Sequence, residues 1–102
     1  MAEGYQEKAM DSVAYTLNGN LAYSTNAEML NAVSNYIGSG NGYQVVRCFS
    51  VRCSEAPLNG SQAFFIFIGH NVWGTGLGWN SSGLFRLAFN NSAGSIVKIL
   101  TA

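Results

Sequence analysis

Ser61-Gln62-Ala63-Phe64-Phe65-Ile66-Phe67-Ile68-Gly69-His70-Asn71-Val72-Trp73 opens the stretch that decides the fold, and it continues through Trp79 and Leu84–Phe89 to Ala102. Apolar runs alternate with short polar turns. Ala63–Ile68 is the most hydrophobic segment of the chain, and Gly69-His70-Asn71 interrupts it before Val72-Trp73. A Gly-rich passage leads to Trp79. Leu84–Phe89 and Ser95–Leu100 then follow, separated by Ser81-Ser82-Gly83 and Asn91-Ser92-Ala93-Gly94. Short apolar runs bounded by Gly, Asn and Ser read as antiparallel strands joined by tight loops. The spacing predicts strands near 62–69, 72–79, 84–90 and 95–101. Alternation places Phe85, Leu87 and Phe89 inward and Leu84, Arg86 and Ala88 outward; in the last strand Ile96, Lys98 and Leu100 oppose Val97 and Ile99.

Upstream, Tyr43 to Cys53 also alternates. Tyr43, Val45, Arg47, Phe49, Val51 and Cys53 share one face, and Gln44, Val46, Cys48, Ser50 and Arg52 share the other. Both faces carry apolar residues, which predicts a central strand covered on both sides. Glu55–Gly60 holds the only proline and reads as a turn. Asn18-Gly19 lies between Val13–Leu17 and Asn20–Tyr23, and this pair suits the positive φ of a two-residue hairpin turn, so a hairpin is expected over 13–23. Thr25-Asn26-Ala27-Glu28 fits a capping box, in which Thr25 accepts from the Glu28 amide and Glu28 reaches back. Met29, Leu30, Val33 and Ile37 follow at helical spacing, and Gly38 suits the position just past the helix end. The helix should run Asn26 to Ile37 and cover one face of a sheet. Gly38–Gly42 reads as a connector. Residues 1–12 are polar and weakly patterned and are expected to be a flexible N-terminal segment ahead of one β-rich domain, 13–102.

The 102 residues suit one domain with one core. The predicted fold class is α+β: an antiparallel sheet or small sandwich of six or seven strands with one helix packed on it. Hydrophobic residues make up 48% and charged ones only 10%, against roughly 25% charged in an average soluble domain. Five basic and five acidic residues leave no net charge. The absence of a basic run argues against nucleic acid as a partner. A near-neutral, aromatic-rich surface favours association, so a homo-oligomer is expected. No apolar run approaches the roughly 20 residues of a membrane helix, so no membrane insertion is expected. No signal-peptide pattern opens the chain, and two thiols suit synthesis in a reducing cytosol.

Cys48 and Cys53 lie five residues apart, which points them to opposite faces of a strand with about 16 Å between them. A disulfide needs Cα atoms within about 7 Å. Neither a metal nor another cofactor is expected. The densest polar–aromatic cluster is His70, Asn71 and Trp73 with Trp79 and Asn80. Indole rings stack on sugar rings while amides bind hydroxyls, so these five residues are the candidate ligand site; the competing reading puts the tryptophans in the core. Trp73 and Trp79 are six apart and share a face of an unbroken strand, although Gly74, Gly76 and Gly78 between them invite a bulge. His70 with Cys48 or Cys53 could form a nucleophile–base pair, and a Ser-His-acid triad would need Asp11, Glu28 or Glu55 brought across the fold. His70 has no orienting acid nearby, and a non-enzymatic role is the expectation. Gly74–Gly78 lacks the Lys and helix of a phosphate loop.

Gly69-His70-Asn71, Trp79-Asn80-Ser81-Ser82-Gly83 and Leu84–Asn90, with the end just after a final strand, resemble the distal part of phage tail fibres and related receptor-binding proteins. The resemblance covers about residues 69–102 and lies in composition: low charge, little proline, and Asn/Ser/Gly turns between short strands. It implies a virion-associated homotrimer whose tip binds a bacterial surface glycan or protein. The helix at 26–37 departs from the simplest fibre tips. The alternative is a self-associating structural subunit with no ligand.

Overall fold

A computed structural model describes residues 15–39 and 46–102. Six strands form one sheet in sequence order: β1 Tyr15–Thr16, β2 Val46–Arg52, β3 Gln62–Gly69, β4 Trp73–Asn80, β5 Gly83–Asn90 and β6 Ala93–Thr101. β2 to β6 form an antiparallel meander, while β1 pairs with β2 in parallel, so the sheet is mixed. One helix, α1 (Asn26–Ile37), packs on one side. The α+β class with a single covering helix is as the sequence predicts. All six strands belong to one sheet, so the second layer of the fold is the helix.

One half of the expected capping box forms at the start of α1; the return bond from Glu28 to the Thr25 amide does not. Thr25 Oγ1 accepts from the Glu28 amide at 3.2 Å. The next free amide, that of Asn26, donates to Glu55 Oε1 at 2.6 Å rather than to a side chain of the helix. A carboxylate there also suits the positive end of the helix dipole. Gly38 ends the helix at φ 80°, where its N–H bonds Ser34 O. Met29, Val33 and Ile37 are buried, at the spacing that brings i, i+4 and i+8 onto one face. They meet the inward side chains of the sheet: Phe49, Phe65, Phe67, Phe85 and Leu87. The rings of Phe49 and Phe65 stack with centroids 5.4 Å apart.

Three expectations are corrected. Residues 15–23 do not form a hairpin. Asn18 and Gly19 do take positive φ, 60° and 56°, but the flanking segments pair with β2 instead of with each other. Tyr15 and Thr16 align with Phe49 and Ser50, and Tyr23 bridges Cys53 in the same direction. Leu17, buried in the core, anchors this excursion. Positions 13 and 14 of that expectation lie outside the described residues, as do 1–12, the connector beyond Ser39 and Tyr43–Val45. Second, β2 is covered on both sides only at its middle: Phe49, Ser50 and Val51 are buried, whereas Val46 and Cys48 are exposed. Third, β4 carries no bulge. Gly74, Gly76 and Gly78 all point to the helix side, where Phe65 and Phe67 of β3 lie across them. The irregularity sits instead in β6 opposite Leu84/Phe85. It releases Leu100 from the inward set, and Lys98 lies over the Phe85 ring at 5.6 Å.

Candidate functional site

The strand period that buries one face of the sheet sets up the other. Phe64, Ile66 and Ile68 of β3 point away from α1, and across the strand they meet Trp79, Leu77 and Thr75 of β4. Next to these, β5 contributes Leu84, Arg86 and Ala88, and β6 contributes Val97. Of the large apolar residues in this set, Phe64, Ile66, Ile68, Trp73, Leu77, Trp79 and Val97 are exposed. Nothing in the described chain covers them. β3 and β4 contain no charged residue. The open face is therefore apolar across β3 and β4, with Arg86 beside it on β5 and Arg52 at the far end of β2. A depression of about 330 Å³ on it is bounded by Ile66, Ile68, Leu77, Trp79 and Arg86.

The five residues singled out from the sequence fall into two groups at opposite ends of β4. His70, Asn71 and Trp73 lie at the β3–β4 turn; Trp79 and Asn80 lie at the β4–β5 turn. The two tryptophans share the open face, 56% and 45% exposed, which places neither in the core. Six residues of strand separate them by about 20 Å, too far for both rings to hold one sugar.

The polar members are engaged by the backbone. His70 Nδ1 accepts from the Val72 and Trp73 amides, both at 3.3 Å. Asn71 ties its turn to the end of α1: its backbone amide donates to Gly38 O and its Nδ2 to Ser34 O at 3.2 Å. Asn80 Oδ1 accepts from the amide and the hydroxyl of Ser82, both at 2.8 Å. These are turn and cap contacts of the kind short polar side chains make.

Cys48 stands on the open face of β2, and Cys53 is buried with its thiol donating to Asn26 Oδ1 at 3.3 Å. Cys53 sits beyond the end of β2 that lies farthest from the β3–β4 turn. Cys48 stands across from Ile66, four residues short of His70, so the structure brings neither Cys53 nor Cys48 to His70. Among the described residues no three His, Cys, Asp or Glu side chains gather as a metal site would require, and no helix is long and apolar enough to cross a membrane.

The apolar triplet Phe64, Ile66 and Ile68 is the part of the site that the sequence reading passed over. Its signal was available: Ala63–Ile68 is apolar at every position, and a strand that is solvated on one face alternates. Comparison with family models, curated proteins and solved structures finds no match to this chain.

Proposed function

We propose that this chain is a non-enzymatic structural and binding module that works by burying the open face of its sheet against a protein surface. The observation that carries the reading is the row of exposed apolar side chains on β3 and β4, with no charge on either strand. Single exposed apolar residues are ordinary, but contiguous patches beyond a few hundred Å² mark interaction surfaces. Stacking a second sheet on this face would complete a sandwich, the arrangement in which two sheets enclose a core about 10 Å thick.

The receptor-binding tip of a phage tail-fibre-like assembly is the second reading, favoured by the exposure of Trp73 and Trp79. The polar side chains flanking them already serve the turns, which favours a protein surface over a glycan as the ligand.

Light scattering on a size-exclusion column, across a concentration series, tests the first reading with wild type and Leu77→Arg side by side. The expected result is a wild type larger than one chain, or poorly soluble as one, and a Leu77→Arg variant that is a soluble single chain. A wild type that stays single and as soluble as the variant refutes it. A glycan array with Trp73→Ala and Trp79→Ala controls tests the second; binding by the wild type that is lost in either variant would favour the receptor tip, and binding kept in both would count against it.

A further inference from the structure

We infer that the surface covering the open face is the same face of a second copy of this chain, in a closed two-fold pair with the helices outside. This rests on the docking role proposed above for that face and names its occupant.

Area makes the first argument. β2 to β6 are 7 to 9 residues long. Five strands about 4.8 Å apart, each with about eight residues rising about 3.4 Å, give a face of roughly 24 by 27 Å, or about 650 Å². Two such faces together bury about 1,300 Å², within the range of stable pairs.

Charge makes the second. A second copy brings the same two uncharged strands to the centre, so no unpaired charge is buried between β3 and β4 of either chain. Arg86, on β5, sits one strand off that centre, and Arg52, at the far end of β2, sits two strands off it. A two-fold axis running along β4 lays β5 of one chain over β3 of the other. Each Arg86 then lies over the β3 row at the level of Ile66, where its aliphatic stem packs on apolar side chains, instead of meeting its own symmetry mate.

The sheet edges make the third. β1 is two residues long, and β6 carries Lys98 and an irregularity. Short strands, lysine and bulges are the devices that block edge-to-edge growth. Association is thereby directed to the face. An isologous face contact closes after two chains.

Sedimentation equilibrium and cross-linking test the pair. Wild type should sediment as two chains, Leu77→Arg as one, and Asn31→Arg, on the exposed side of α1, as two. In a Cys48→Ser background, Thr75→Cys on β4 should form covalent pairs with a short bis-maleimide linker, because the axis sets the two positions opposite each other. Asn31→Cys in that background should not. A pair that survives Leu77→Arg, or a Thr75→Cys protein that does not cross-link, overturns the proposal. A trimer or larger species dissolved by Leu77→Arg overturns the closed pair and leaves the docking role standing. A single chain whose solubility Leu77→Arg raises does the same, and a single chain with no such gain overturns both.

Discussion

Replacing Gly78 with alanine sets two known effects against each other. In an exposed strand the change would help, because alanine has less backbone freedom to lose, worth about 0.4–1 kcal/mol. Here a Cβ on Gly78 would stand 2.5 Å from Phe65 Cε2 and 2.7 Å from Phe64 O. The ring cannot swing aside, because it is buried and stacked on Phe49. The carbonyl belongs to the strand backbone. Overpacking of a well-filled core costs about 1–3 kcal/mol, and with a backbone atom in the way the upper half of that range applies. The net loss should be about 2 kcal/mol. With a urea dependence of roughly 1.5 kcal/mol per M, the midpoint should fall by about 1.3 M. Gly76→Ala is the graded control: its Cβ would meet Phe67 Cδ2 at 3.0 Å and Ile66 O at 3.2 Å, contacts that small shifts relieve, so its loss should stay below about 1 kcal/mol. Combining Gly78→Ala with Phe65→Leu should cost about 1 kcal/mol less than the sum of the two single changes. Urea unfolding followed by tryptophan fluorescence, at one fixed protein concentration, measures all of these. A neutral or stabilising Gly78→Ala, or a Gly76→Ala that loses as much, would refute the idea that the three glycines make room for phenylalanine rings.

Other outcomes follow from local contacts. Thr25→Ala removes the side chain that accepts from the Glu28 amide and should cost about 1 kcal/mol in urea unfolding; no change would deny the cap its role. Ser92 sits at φ 72° in the β5–β6 turn, after Asn91 at φ 52°; Ser92→Gly should raise stability by about 0.5 kcal/mol, since a two-residue turn of this kind prefers Asn-Gly, and a loss would count against that turn geometry. Burial, and after it the charge of Tyr15, raises the Tyr23 phenol above its ordinary value of 10.0. The folded chain thus holds this proton more tightly than the unfolded one. Its contribution is complete below pH 10 and declines as pH rises through the folded value, so Tyr23→Phe should lose less stability than wild type when the midpoint is followed into the alkaline range.

Much of the architecture is legible in the chain because two periods are clean. The helix has sharp ends in Thr25 and Gly38, and the C-terminal strands are punctuated by Asn, Ser and Gly. The excursion at 17–23 is not legible locally. Asn18-Gly19 specifies a left-handed bend, and only the edge of β2, supplied by residues about 30 positions downstream, decides that both flanks run alongside it. The glycines of β4 mislead in isolation because their partners Phe65 and Phe67 lie on another strand. The candidate site was legible only in part. Trp73 and Trp79 share a face as their even spacing requires, but the turn duties of His70, Asn71 and Asn80 depend on amides that only the folded chain brings near. One covering helix serves one face of a sheet whose central strand is apolar on both, and that mismatch is the clearest signal the sequence holds about function.

Acrylamide quenching of the intrinsic tryptophan fluorescence reads whether the open face is covered in solution, because the chain has two tryptophans and both lie on that face. In the wild type at working concentration both rings should be shielded, with quenching well below that of free indole and rising on dilution. Leu77→Arg should quench fully at every concentration. Full, concentration-independent quenching of the wild type would contradict the account, since it would leave the open face bare in solution.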